Sequence, residues 1–414
     1  MPDRLRIVHI CQSYMDGMGY QENYLPRYQA LLGHDVTLVT STQYPVYRGT
    51  ALPRVAPGAY ADHGVKIVRL RTASVVVLGR NRLVFMFGLY SALDRAKPDV
   101  IFHHGTADTA LRAATTYKSR HPSTRLVLDS HADYKNSGGS WISLRLWHGW
   151  YWRRRLQGVL PLVDKVFAIT PACSRFEQEV HKVPEGLIEL LPLGCDDNDL
   201  PPRDAARVWL RQKARWPMDA RVVITAGKLD RGKRTVETVR AFRMLSGGAV
   251  RMAIVGAVGP DISQDLCDAI AGDTRIGLFG WVSADELAWW LRGADIGVWP
   301  GSESAIWVQA VGSGLPIILR HVWGREDLTS GDNGILLESS EPDEIHRCLK
   351  IALDGAFLAK LTQSAAEVAA RFSYTTIARQ SLAFASVPET LQPEILQPEI
   401  RVKQGQDSAS MPHA

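Results

Sequence analysis

Cysteine is scarce in this chain. Five cysteines in 414 residues, Cys11, Cys173, Cys195, Cys267 and Cys348, are odd in number and show no metal-ligand spacing. That excludes a disulfide framework or a zinc-finger site and points to free thiols in a reducing, cytoplasmic setting. Long apolar runs are also missing. No stretch reaches the roughly 18 residues that span a bilayer, and the opening Met-Pro-Asp-Arg-Leu-Arg-Ile-Val has no signal-peptide core. The expectation is a soluble cytoplasmic protein. Neither half carries G-x-G-x-x-G after its first apolar strand, which disfavours a simple dinucleotide dehydrogenase. No carboxylate pair at hydrolase spacing can be picked out, so a double-displacement glycosidase has no support. Charge of one sign is not in large excess: 48 Lys and Arg against 43 Asp and Glu leave +5, too little to argue for nucleic acid.

What is present is a long chain with an ordinary apolar share of 46%, enough for two domains of about 150–200 residues without staples. Short β-branched runs alternate with helical patterns, the signature of doubly wound α/β units. The first half has such runs at Arg6–Cys11, Val36–Val39, Lys66–Leu70, Val100–His103, Leu126–Leu128, Val166–Ile169 and Leu187–Leu193. A helix from Tyr24 to Leu32 is expected to stop at Gly33. The second half restarts the pattern at Val222–Thr225, Met252–Val255, Ile276–Phe279, Ile296–Trp299, Pro316–Leu319 and Gly334–Leu337, with a further helix at Pro342–Leu353. The architecture predicted is two Rossmann-like domains facing across a cleft, covering 1–198 and 199–372. A helix at 373–390 packs back on the first domain, and a disordered tail at 391–414 carries a duplicated Leu-Gln-Pro-Glu-Ile. The Pro-containing stretch Gln43–His63 reads as a loop over an acceptor.

The most informative segment is Ile224-Thr-Ala-Gly-Lys-Leu-Asp-Arg-Gly-Lys-Arg234. An apolar strand runs into Gly227, then Lys228 and Lys233 flank a tight turn before a helix that starts near Thr235. Ammonium groups where a strand feeds a helix suit a diphosphate; basic residues in such loops also simply face water. A second cluster, Trp141 to Arg155, sets four tryptophans beside four arginines. Such a pairing fits peripheral contact with a membrane. On a helix turning about 100° per residue, however, the aromatics spread around the axis, which equally describes a half-buried packing helix.

Gly227-Lys-Leu…Lys233, Phe279-Gly-Trp-Val-Ser-Ala-Asp-Glu-Leu287, Ala294-Asp-Ile-Gly-Val-Trp-Pro300, and Glu303 through Gln309-Ala-Val-Gly-Ser-Gly-Leu-Pro-Ile317 resemble glycosyltransferase family 4 in order and spacing. Gly17-Met-Gly-Tyr-Gln-Glu22 is similar to the family's glycine-rich loop, and Leu126-Val-Leu-Asp-Ser-His131 to the strand ending in its active-site histidine. The resemblance implies a GT-B fold and a retaining transferase that takes a sugar from a nucleotide-sugar donor to a lipid-linked or polysaccharide acceptor, with no metal or other cofactor. It assigns His131, Lys228, Lys233 and Glu303 to catalysis. Gly17, Gly19, Trp281, Val282, Ser304, Ile306 and Gln309 go to donor binding. Asp129, Asp133, His103 and His104 are lesser candidates. Two departures stand out. The family usually has arginine where Lys228 stands, and lysine loses the bidentate fork. The ribose-binding glutamate position falls on Gln309, which keeps hydrogen bonding without charge, and the loop back to Glu303 is shortened. These departures keep a non-catalytic GT-B sugar-binding or scaffold protein open as an alternative. A nucleotide-sugar 2-epimerase shares the two-domain cleft and is the other.

Overall fold

The computed structural model describes residues 4–43, 55–78 and 81–386. The tail expected at 391–414 lies outside them, as do residues 44–54 of the loop expected over Gln43–His63. Sixteen strands are described: β1 Arg6–Cys11, β2 Asp35–Ser41, β3 Gly58–Asp62, β4 Val65–Leu70, β5 Thr72–Leu78, β6 Asn81–Met86, β7 Val100–His104, β8 Arg125–Ser130, β9 Lys165–Ala168, β10 Ile188–Leu190, β11 Arg221–Ala226, β12 Val250–Val255, β13 Ile276–Leu278, β14 Ile296–Trp299, β15 Ile317–Arg320 and β16 Gly334–Leu337. They form one eight-stranded sheet in the order β10-β9-β8-β7-β1-β2-β4-β3, one six-stranded sheet β13-β12-β11-β14-β15-β16, and a hairpin β5-β6. Apart from the antiparallel β3–β4 pair, both large sheets are parallel.

Parallel sheets bury both faces, so their strands read as continuous apolar runs split between two cores. On the first sheet Ile7, Phe102, Val127 and Phe167 pack on one side with Leu25 and Tyr28, while Val8, Ile10, Ile101 and Leu128 pack on the other with Leu93 and Ala114. The second sheet divides alike: Val223, Met252 and Val298 lie with Val239 and Phe242, and Val222, Ile224 and Leu319 lie with Trp307 and Val311. Two doubly wound units result, as the alternating sequence pattern predicts.

Several local expectations change. Part of the Gln43–His63 loop is the edge strand β3, registered Gly58 to Arg69 through Asp62 to Val65. The strand expected over Leu187–Leu193 shrinks to Ile188–Leu190. The hairpin β5–β6 has no counterpart in the sequence reading. Helix α1 begins three residues earlier than expected, spanning Gln21–Leu31, and Gly33 follows with φ +95°. The chain crosses between units twice. Near Cys195 the linker hydrogen-bonds the returning strand, Cys195 N–H to Phe372 carbonyl at 2.6 Å and Tyr374 N–H to Cys195 carbonyl at 2.9 Å. Helix Tyr374–Gln380 then packs Tyr374, Ile377 and Ala378 into the first unit's core beside α1.

Candidate functional site

In an open parallel sheet, ligands collect beyond the carboxyl ends of strands where the order reverses. On the first sheet that point lies between β1 and β7, and on the second between β11 and β14.

On the second sheet, β11 delivers Gly227, Lys228 and the buried Leu229, whose N–H bonds the Ala257 carbonyl at 2.9 Å. Asp230 caps the next turn by accepting from Gly232 N–H at 3.1 Å. The turn rests on the β14 loop so closely that a Cβ on Gly301 would lie 2.3 Å from the Gly232 carbonyl oxygen. Lys233 fastens the contact: its ammonium donates to the Ser302 carbonyl and hydroxyl at 2.9 Å and to the Glu303 carbonyl at 2.8 Å. Burial, reinforced by Lys228 and Lys135, pulls the Lys233 ammonium below the usual lysine range. Lys228 differs. Its side chain is 79% exposed and lies 3.3 Å from Asp230. Of the two lysines, Lys233 shapes the loop and Lys228 presents its charge to solvent.

The loop pinned by Lys233 opens helix Ala305–Gly312. Ser304 is its N-cap in extended conformation with no side-chain capping bond. Ile306 is buried in the core against Gly227, leaving only its backbone for a ligand. Gln309 points from this helix into the inter-domain cavity. The Glu303 carboxylate lies 3.1 Å from the buried Arg325 guanidinium without hydrogen-bond alignment. Trp281, 60% exposed, stands in the loop after β13, and Val282 packs on the core.

On the first sheet, His131 follows β8 directly, its Nε2 3.5 Å from the Asp129 carboxylate. Burial opposes charge on His131, but Asp129 overrides it and Glu22 adds to the effect, so the imidazole is pushed up to about 9. Asp129, fully buried, is held below the carboxylate range: its burial is outweighed by His104 and His131. Behind it runs a buried relay that the sequence gives no direct sign of. His104 Nδ1 donates to Asp129 at 2.7 Å, His104 Nε2 meets His9 Nδ1 at 3.0 Å, and His9 Nε2 meets the Gln29 carbonyl at 2.7 Å. Gln29 in turn donates to Ser381 at 2.9 Å. Burial, then His104, lowers His9 to about 3, so it is neutral. The only trace in the sequence is a histidine inside an apolar strand.

The lesser candidates have structural work. Asp133 accepts from Lys135 and Asn136 N–H groups at 2.7 Å, and Asn136 donates to the His131 carbonyl at 2.7 Å, so this turn fixes His131 from the far side. His103 bonds the Gly105 carbonyl at 2.9 Å. Gly17 has φ +71°, a left-handed conformation that favours glycine. Gly19 lies across the cleft from Gln309, whose Nε2 would be 3.8 Å from a Cβ there.

Of the residues expected at the site, Gly19, His131 and Gln309 meet at a cavity of about 260 Å³, lined also by Gln21 and Glu22 from the first unit and Ala305 from the second, whereas Gly17, Lys228, Lys233, Trp281, Val282, Glu303, Ser304 and Ile306 are outside its lining. Donor atoms of Glu22, His104 and His131 lie within 4.8 Å of one another, a spacing compatible with a metal ion. The donors do not suit zinc. Both ring nitrogens of His104 are already engaged, leaving Glu22 and His131, fewer than the three protein ligands of a catalytic zinc site.

A second buried network lies behind the Trp/Arg cluster. His148 Nδ1 meets His181 Nε2 at 3.2 Å, His181 Nδ1 meets Glu177 at 2.8 Å, and Glu177 accepts from Ser130 at 2.5 Å and Thr106 at 2.7 Å. Residues Ser143–Trp152 wind as a π-helix. Side chains four apart fall near one face, as they do in an α-helix. Ile142, Leu146, Trp150 and Arg154, each four apart, form an exposed stripe, while His148, Trp152 and Leu156 are buried. No helix among the described residues is long and apolar enough to cross a membrane.

Residues 16–199 match the profile of Glycosyltransferase Family 4, and residues 220–354 that of Glycosyl transferases group 1. No curated protein matches the chain. Among solved structures, Anabaena HepE in complex with UDP and glucose is similar at TM-score 0.63 and 16% identity, over 93% of this chain and 100% of that one. A glycosyltransferase from Rickettsia africae aligns at TM-score 0.63 and 13% identity, covering 92% and 98%. Sucrose-phosphate synthase from Thermosynechococcus elongatus aligns at 0.62 and 18%, covering 92% and 98%. At these identities the likeness carries the fold.

Proposed function

The chain belongs to the GT-B glycosyltransferases, and from that premise we propose that it is a retaining enzyme moving a sugar from a nucleoside-diphosphate donor to a lipid-linked or polysaccharide acceptor in cell-surface glycan synthesis. The observation that carries the reading is one cavity shared by both units, with Ala305 and Gln309, from the helix that the Lys233-pinned loop opens, on one wall and His131 on the other. HepE, captured with UDP and glucose, supports a nucleotide sugar as the ligand.

In this reading the donor's diphosphate sits over the start of helix Ala305–Gly312. Backbone N–H groups near Ser304 and Ile306, together with the Lys228 ammonium, stabilise charge on the departing phosphate. Lys233 acts by holding that loop in place. Gln309 bonds the ribose and Trp281 and Val282 flank the base. His131, as imidazolium, donates to a hydroxyl of the transferred sugar. The bond from the anomeric carbon to phosphate breaks as the acceptor oxygen adds on the same face, and the acceptor's proton passes to the leaving phosphate oxygen. No step needs a metal ion. Release of nucleoside diphosphate from a panel of nucleotide sugars tests the proposal. Absence of turnover and binding with every donor refutes it.

A non-catalytic sugar-nucleotide binder is the second reading, favoured by Glu303 being committed to Arg325. Tight donor binding without transfer, with transfer restored by Gln309→Glu, distinguishes it. We further propose that Trp141–Arg155 makes peripheral contact with the inner membrane face, consistent with a lipid-linked acceptor. The exposed π-helical stripe and the absence of any carboxylate from Tyr134 to Val163 support this.

A further inference from the structure

The first turn of α1 carries a polar side chain that the fold leaves without a partner. Gln21 is 2% exposed, yet neither its amide nitrogen nor its amide oxygen has a hydrogen bond among the described residues. Asn23 repeats half of this pattern: its Nδ2 donates to the Met15 carbonyl at 2.9 Å, while its buried Oδ1 has no partner. Folded proteins satisfy nearly all buried polar atoms, and leucine would fill the Gln21 volume without the desolvation penalty. Gln21 also lines the inter-domain cavity with Glu22, His131 and Gln309.

We propose that Gln21 binds hydroxyl groups of a sugar ring seated between His131 and Gln309, accepting from one hydroxyl at Oε1 and donating to a neighbouring oxygen from Nε2. A primary amide offers both functions from one planar group, which matches adjacent ring hydroxyls. The adjacent Glu22 carboxylate argues for a neutral ring over another phosphate, because an anion there meets like charge. Asn23 Oδ1 is a further acceptor at the cavity edge. The inference rests on the nucleotide-sugar reading above and assigns the first unit's part in selecting the sugar. The ring is either the donor's or the acceptor's, and both present the same chemistry.

Calorimetry on the full chain separates the cases. The probes are UDP, GDP and ADP, their glucose, mannose and N-acetylglucosamine conjugates, and free monosaccharides added to the protein saturated with nucleoside diphosphate. For Gln21→Leu, nucleoside-diphosphate affinity stays within about twofold of wild type and the melting temperature is equal or higher, because the unpaired amide is gone. If the ring is the donor's, affinity for the best nucleotide sugar falls about tenfold or more; if it is the acceptor's, that affinity holds and monosaccharide binding falls by a similar factor. Either loss supports the inference. A variant that binds every sugar as wild type does overturns it, as does a melting temperature lowered by more than about 5 °C with all affinities intact. Wild-type protein that binds no nucleotide sugar overturns the transferase reading itself, a different outcome from unaltered binding in the variant. Gln21→Asn, which withdraws the amide by one methylene, gives the same readouts if the leucine variant does not fold.

Discussion

At the residue scale the cleft is organised by His131 and its buried counter-charge. Because Asp129 raises His131 to about 9, its proton persists through neutral pH. Relative to an unfolded value of about 6.5, the stabilising contribution of this charged form is fully present below that pH and is lost as pH rises through about 9. Asp129→Asn removes the largest raising influence and leaves Glu22 alone to oppose burial, so the imidazole falls from about 9 towards or below its ordinary value, an outcome read by NMR titration of the ring protons. Donor binding in that variant weakens at lower pH than in the wild type, which holds its affinity to about pH 9. Lys233→Ala releases the Ser302–Glu303 loop as well as a charge, so transfer falls about 100-fold or more, with little change for donor-independent stability. A drop of less than about tenfold in nucleoside-diphosphate release would count against the loop-holding role. The placing of His131 and Gln309 on one cavity is legible from the sequence because one follows a strong apolar strand and the other keeps a fixed distance from Gly-Leu-Pro. His9, Gln29 and Ser381 are not, since nothing local ties three residues so far apart in the chain; only the packed sheet and the returning helix bring them together.

At the element scale, parallel strands are read well because their apolar runs are long and uninterrupted. The hairpin β5–β6 is missed because its valines look like any buried strand, yet Val75, Val76 and Val77 are exposed. In the Trp/Arg segment the tryptophans are spread as the sequence suggests, Trp152 buried and Trp141 and Trp150 on an exposed face, although the segment is π-helical, which the sequence does not signal. This face makes a concrete prediction. Co-sedimentation with vesicles containing phosphatidylglycerol falls sharply for the pair Trp141→Ser and Trp150→Ser, and binding weakens with salt as arginine–phosphate attraction is screened. Vesicle binding that survives the double substitution removes this face from consideration. Beneath it, Glu177→Ala leaves His181, Ser130 and Thr106 without their common partner and costs about 3 kcal/mol in chemical denaturation.

At the scale of the whole molecule, two sheets alone do not make the first unit complete. Tyr374 is buried against Tyr24 and Tyr28, with ring centroids 4.9 and 5.7 Å away, and a Cβ on Gly194 would lie 2.9 Å from its ring. Tyr374→Ala therefore opens a cavity at the double crossing and lowers stability by about 3–5 kcal/mol in urea unfolding. The linker is tied to the same place: Arg27 pairs with Asp196 at 3.2 Å, Tyr28 donates to Asp196, and Thr375 N–H bonds Asp197 at 3.0 Å. Sequence periodicity signals each unit separately and says little about such a junction, whose contacts join residues from both ends of the chain.

The return of helix Tyr374–Gln380 also sets an order of assembly. A ribosome finishes every strand of the first sheet before it has made the second, yet Tyr374, Ile377 and Ser381 emerge only after both sheets. The nascent first half must wait, its apolar face uncovered and its histidine relay unterminated, until the final turns arrive to seal it. Synthesis of this returning helix and maturation of the cleft are thereby one event.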